Sequence, residues 1–182
     1  MVTEQESVPG RIIVITGNMA AGKSTVAQAL AERLPRSVHL RGDLFRRFIV
    51  NGRAQIDLDL SPEARRQLEL RYELAVHSAK RYADHGFTVV YQDILLGDTL
   101  AWLGPALLPH VPLIVVLCPK AEVVAVREEQ RGKSGYQDRA QIEAFDRVLR
   151  EDTPRAGHWL DSSELSAAET VDDILALLDQ QP

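Results

Sequence analysis

The stretch that decides the fold is Arg11–Leu34, RIIVITGNMAAGKSTVAQALAERL. Ile12, Ile13, Val14 and Ile15 form a short run of β-branched apolar side chains, the composition of a buried strand. Gly17-x-x-x-x-Gly22-Lys23-Ser24 follows, the spelling of a phosphate-cradling loop, or P-loop. Beyond it Val26, Leu30 and Leu34 recur every four residues with Ala27 and Ala31 beside them. That spacing predicts an amphipathic helix, which Pro35 stops.

Chemistry explains this spelling. Gly17 and Gly22 allow backbone turns that a side chain would forbid, and they bring successive N–H groups against phosphate oxygens. The start of the helix adds its unpaired N–H groups and the positive end of its dipole. Asn18, Met19, Ala20, Ala21 and Thr25 complete the cradle. Lys23 is placed to reach the outer phosphates of a nucleotide, and the Ser24 hydroxyl to ligate Mg²⁺.

The rest of the composition narrows the setting. At 182 residues the chain is long enough for one domain with a full core and short for two, so we expect one domain over 1–182. A net charge of −5 offers no bulk attraction to nucleic acid or to an anionic membrane, although a local basic patch remains possible. Cys118 is the only cysteine, so no internal disulfide can form and a reducing compartment fits; its place after the apolar run 111–117 suits a buried hydrophobe. The polar start MVTEQESVPG lacks the layout of a signal peptide, and no apolar run approaches a membrane span. The expectation is a cytoplasmic protein. The five histidines show no metal-ligand spacing.

Strand and helix signals then alternate. Strands are expected at 37–40, 87–91, 111–117 and 158–160, with Pro112 near the start of its strand. Helices are expected at 44–50, from Ser61-Pro62-Glu63 to His85-Gly86, within 94–104, at 122–131, at 137–151, and after the Ser166-x-x-Glu169 capping box. The long helix presents Leu68, Tyr72, Ala75, Ala79 and Tyr82 on one face, and the last helix Val171, Ile174, Leu175 and Leu178. Alternation of this kind means a parallel sheet with helices on both faces, and active sites in such sheets lie beyond the carboxyl ends of the strands.

Those ends carry the reactive side chains. The first strand ends in the P-loop, the second in Asp43 and the third in Asp93, and the helix after the fourth carries Arg127 and Arg131. Carboxylates beside a Mg²⁺–phosphate site can hold the metal or its waters, or take a proton from an attacking hydroxyl. Arginines that close over a transferring phosphoryl group stabilise its charge. Arg127 and Arg131 share a helix face, and Gly132, Lys133 and Gly135 would let the segment hinge as a lid over about 127–137. Each has a plainer alternative, a helix cap for the aspartates and a solvated ion-paired face for the arginines.

Together, Gly17–Ser24, Arg41-Gly-Asp43-x-x-Arg46, Tyr91-Gln-Asp93-x-x-Leu-Gly97 and Arg127-x-x-x-Arg131-Gly132 resemble the small P-loop kinases, and among them the chloramphenicol phosphotransferase-like group. The resemblance implies a three-layer fold on a five-stranded parallel sheet of order 2-3-1-4-5, ATP with Mg²⁺ as donor, and a hydroxyl acceptor on a small molecule. It implies Asp43 as the base, Arg131 in the lid over the phosphates, Arg127 stacked on adenine, and Asp161 and Ser162 near the base of the nucleotide. Lys23 and Arg131 would carry charge in the reaction, Ser24, Asp43 and Asp93 would serve Mg²⁺, partly through water, and Asp93 would alternatively meet the substrate. The third strand ends Gln92-Asp93 where the family tends to have two acids. The segment 41–46 is also similar to polynucleotide 5′-kinases, in which an arginine at the position of Arg46 grips a substrate phosphate, so a nucleic-acid end is an alternative acceptor. A nucleotide switch or ATPase without an acceptor is the reading from another class.

Overall fold

The computed structural model describes residues 9–56, 60–130 and 139–181. Arg131 and most of the expected lid lie outside the described residues, as does the polar start of the chain. The elements run β1 (Ile12–Gly17), α1 (Lys23–Arg33), β2 (Ser37–Arg41), α2 (Asp43–Arg47), α3 (Pro62–Asp84), β3 (Thr88–Gln92), α4 (Asp98–Leu107), β4 (Leu113–Leu117), α5 (Ala121–Glu129), α6 (Arg139–Arg147), β5 (His158–Leu160) and α7 (Ala167–Asp179). All strand pairings are parallel, as the alternation of strands and helices predicts, and the order is β2-β3-β1-β4-β5, as the family resemblance implies.

Alternation along the strands sorts the core into two layers. Ile12, Val14, Val89, Tyr91, Ile114 and Val116 face a core completed by α3 and α4. Ile13, Ile15, Val90, Leu113, Val115 and Leu117 face a second one completed by α1 and α7. With both faces apolar, burial alone discriminates poorly between registers. The polar end of β1 supplies the missing information. Thr16 Oγ1 donates to the Leu95 carbonyl at 3.0 Å and accepts from the Leu95 amide at 2.9 Å, all of it buried. One residue on, Gly17 runs so close to the Leu117 carbonyl that a Cβ would overlap it, and its φ of 139° favours glycine.

Local signals explain the helix ends. Leu34, the residue before Pro35, is already extended, so α1 closes at Arg33. Ser61 caps α3 by accepting from Ala64 N at 3.1 Å, with Pro62 in the first turn. Ser166 and Glu169 make both bonds of the capping box on α7.

Four details depart from expectation. The short helix over 44–50 is only Asp43–Arg47, because Phe48 and Val50 are exposed and give a longer helix nothing to pack against. The buried face of α3 ends on Ala83 rather than Tyr82, whose exposed ring instead meets Phe87 edge-on at 6.0 Å. The helix expected within 94–104 runs on to Leu107, with Trp102 41% exposed on it. The helix expected to reach Glu151 turns into a π-turn at Val148–Asp152, where Arg150 reaches the carbonyls of Cys118 and Pro119. Among the described residues no helix is long and apolar enough to cross a membrane.

Candidate active site

The carboxyl ends of β1, β2 and β3 open on one cleft of about 480 Å³. Its floor is the P-loop. Gly22 caps α1 in a left-handed conformation (φ 96°) and has no side chain to offer, so the first-turn amides of α1 meet no side-chain acceptor. Ala20, at φ 57°, is the one described non-glycine residue with positive φ, and this strained turn lies inside the loop. Lys23 is buried and its Nζ donates to the Asn18 carbonyl at 2.6 Å, bending the side chain back along the loop. Ser24 and Thr25 are exposed at the head of α1 and line the cleft with residues 19–23.

Arg127 crosses above this loop from α5. Its Nη2 donates to the Ser162 carbonyl at 2.8 Å and its Nη1 to the Ala21 carbonyl at 3.4 Å, which joins the P-loop to the segment after β5. Ser162 is buried and lines the cleft, and its hydroxyl has no partner. Asp161 is different. It is exposed and its Oδ1 accepts from Ser163 N at 3.0 Å and Ser163 Oγ at 2.5 Å, bonds that hold its pKa below the usual carboxylate value. It shapes the turn, and Ser162 is the residue of the pair that lines the cleft.

The opposite wall holds the two aspartates, in contrasting states. Asp43 begins α2 at the end of β2, and both Arg41 and Arg47 reach its Oδ2, at 3.2 and 3.0 Å. Its Oδ1 is buried without a partner, and the residue lines the cleft. That oxygen is free to accept a proton or a metal-bound water.

Asp93 has no such freedom. Its side chain is fully buried, and Arg71 of α3 grips both oxygens, Nε on Oδ2 at 3.0 Å and Nη2 on Oδ1. Tyr91 Oη donates to Oδ2 at 3.3 Å and Ile94 N to Oδ1 at 2.7 Å. Burial pushes the Tyr91 phenol well above its usual pKa, so it stays a donor. A carboxylate has about four lone-pair sites, and here each is taken. Asp93 lines the cleft, and in this structure its carboxylate is committed to Arg71, Tyr91 and Ile94. It orients Arg71. Gly42 makes room for the pair, since a Cβ there would collide with the Asp93 carboxylate.

Two further placements depart from the sequence reading. Arg46 is not on the cleft wall; its Nη2 bonds the Ala54 carbonyl, and Arg47, its neighbour on the short α2, is the one that faces the cleft. Gln92, at the end of β3, lines the cleft with a buried Oε1 that has no partner. The phase of a five-residue helix could not separate Arg46 from Arg47. Arg71 was missed because its partner lies across the fold, although its i+4 spacing from Gln67 marks a shared face.

The cradle, the lysine, and the cleft residues Asp43, Gln92 and Ser162 with their unpartnered oxygens form a donor and acceptor set that fits a nucleotide phosphate chain with a divalent cation. The model of chloramphenicol phosphotransferase-like proteins matches residues 10–151. The chain belongs to this family. It is a P-loop phosphotransferase, and the matched span contains every cleft element except the turn after β5 and α7. A search of curated protein sequences gave no match.

Among solved structures, the fold is similar to a tunicamycin resistance protein from Deinococcus radiodurans, with a TM-score of 0.70 at 21% identity over 94% of this chain and 97% of that one. A gluconokinase from Sinorhizobium meliloti gives a TM-score of 0.65 at 22% identity over 96% and 94%. Shikimate kinase from Acinetobacter baumannii, in complex with shikimate, gives 0.64 at 20% identity over 97% of both chains. At these identities the likeness is one of fold.

Proposed function

We propose that the chain is a single-domain phosphotransferase that moves the γ-phosphoryl group of ATP, with Mg²⁺, to a hydroxyl of a small molecule, with Asp43 as the base. The observation that carries this reading is that Asp43, whose buried Oδ1 has no partner, lines the same cleft as the P-loop.

In this reading Lys23 leaves the Asn18 carbonyl for the outer phosphates, and the first-turn amides of α1 hold the phosphate chain. Mg²⁺ bound with the nucleotide would neutralise charge that develops on the phosphate oxygens. Ser24 would hold it, with Asp43 reaching it through water. Arg127, bonded to the Ser162 carbonyl, would lie against the base, with Ser162 at its side. Arg41 and Arg47 pin one oxygen of Asp43 and so aim the other at the acceptor hydroxyl, whose proton it takes. Arg131 is assigned to the lid, where its charge would meet the transferring group.

The test is turnover of purified protein with Mg²⁺ and ATP against a set of hydroxylated compounds, following ADP release and phosphate gain. One acceptor should stimulate both. Asp43→Asn should keep nucleotide binding and lower transfer about 10²- to 10⁴-fold, the usual worth of a positioned base. Wild-type turnover by Asp43→Asn on that acceptor would rule out the base assignment. ATP hydrolysis indifferent to every acceptor and to Asp43→Asn would favour a nucleotide switch.

A further inference from the structure

The chain carries 26 acidic and 21 basic residues, yet basic side chains gather on one side of the cleft, where Arg41, Arg47 and Arg71 line it and Arg46 and Arg53 lie behind Arg71. The end of β2, α2, the loop after it and α3 bring Arg41, Arg46, Arg47, Arg53 and Arg71 together. Among the described residues two carboxylates answer them. Asp43 is shared by Arg41 and Arg47, and Asp93 is taken by Arg71. Glu63 on α3 is committed to Arg66 and Gln67. Among the described residues no carboxylate pairs with Arg46 or Arg53.

The local geometry concentrates this excess. Gln67, one turn before Arg71 on α3, accepts from Ala54 N at 2.9 Å and donates to the Gly52 carbonyl at 2.8 Å, so it clamps the loop that carries Arg53. Arg46 bonds the Ala54 carbonyl from the other side, and its Nε is buried without a partner. Burial, together with the charges of Arg53 and Arg71, pulls the Arg46 pKa below its ordinary value. Asp93 occupies Nε and Nη2 of Arg71, which leaves the Nη1 hydrogens uncommitted on a residue that lines the cleft. Like charges held this way repel one another more strongly than in water, and an anion bound among them would offset that cost.

We infer that the phosphate acceptor is itself an anion, a small molecule bearing a carboxylate or phosphate in addition to the hydroxyl to be phosphorylated, and that this group docks on Arg71 with Arg46 and Arg53 behind it. The inference rests on the phosphotransferase reading. It gives the two ends of the cleft separate anions: the nucleotide's phosphates lie over Lys23 and α1, and the acceptor's charged group lies on the α2–α3 side, with Asp43 between. Asp93 is a positioning residue that fixes the free edge of Arg71.

The experiment first fills the P-loop with Mg²⁺ and a non-hydrolysable ATP analogue, so that added anions cannot bind there. Inorganic phosphate and malonate are then titrated separately at low ionic strength by calorimetry, into wild type, Arg46→Gln and Arg53→Gln. Saturable binding of one anion to wild type is expected, weakened at least tenfold in both variants while affinity for the analogue is unchanged. Preference for phosphate or malonate would identify which group the acceptor carries. Arg53 is exposed, so Arg53→Gln retains the fold even if Arg46→Gln loosens the Ala54 loop. Absence of binding by either anion, or equal binding by wild type and both variants, would overturn the inference. If the analogue itself fails to bind, the phosphotransferase reading fails and the anionic acceptor falls with it.

Discussion

Gly42→Ala isolates the buried pair that organises the acceptor wall. At φ −61° and ψ −32° the backbone of Gly42 is ordinary helix, so alanine carries no conformational penalty there. The cost is steric. The new methyl would lie 2.7 Å from Asp93 Cγ and closer still to Oδ2, where ordinary contact begins at 3.4 Å, so the carboxylate must retreat by at least about 0.7 Å. Its four hydrogen bonds and the Tyr91 ring leave no direction that keeps the grip of Arg71. Breaking a buried ion pair costs about 3–5 kcal/mol, and partial relaxation puts the expected loss near the lower figure, about 3 kcal/mol. For a chain of this size that lowers Tm by roughly 6–12 °C. Urea and thermal unfolding followed by circular dichroism would measure it. Asp93→Ala supplies the control background: it is less stable to begin with, but the same methyl now meets a methyl, and Gly42→Ala should cost less than about 1 kcal/mol. The reasoning is refuted if Gly42→Ala is within about 0.5 kcal/mol of wild type, or if the loss is the same in both backgrounds.

Other expectations follow from single contacts. Thr16→Val keeps the shape of the side chain but strands the buried amide and carbonyl of Leu95, and should destabilise by about 2–4 kcal/mol in the same unfolding assay. Arg127→Ala removes the guanidinium over the P-loop and should weaken nucleotide binding about tenfold or more, read by fluorescence titration, without a comparable loss of Tm. Bonds from Ser166 hold the Glu169 pKa below its usual 4.5. The stabilisation is therefore complete above that value and is lost as pH falls through the lower folded one. Glu169→Gln should flatten that part of the acid side of the stability profile, and an unchanged slope would show that the capping box is not its source.

Much of this was legible because it is written in short-range patterns. The Gly17–Ser24 spacing, the β-branched runs and the caps at Ser61 and Ser166 each act through neighbours in the chain, and they mark the strands and helices, while the strand order was implied by the family resemblance. The strand ends named Asp43 correctly as a cleft residue for the same reason. What sequence could not show depends on groups that meet only in the folded chain. Asp93 looked uncommitted because its 22-residue-distant partner Arg71 was one of many arginines on α3. Asp161 looked like a nucleotide contact because nothing local told its exposed carboxylate from the buried Ser162 beside it. Arg46 and Arg47 were separable only once α2 had a fixed rotation against the cleft.

The position of β1 in the sheet has a consequence for how the protein is made. The strand that delivers the P-loop leaves the ribosome before both of its neighbours, β3 and β4, at residues 88–92 and 113–117. Until both have emerged, Gly17 has no Leu117 carbonyl to lie against and Thr16 has no Leu95 to hold. The nascent chain thus carries the P-loop without its bed until residue 117 has emerged, and nucleotide affinity should arise in a single step once β4 is in place. Arrested chains ending before β4 would be silent toward nucleotide, and the site would appear with the strand that completes its bed.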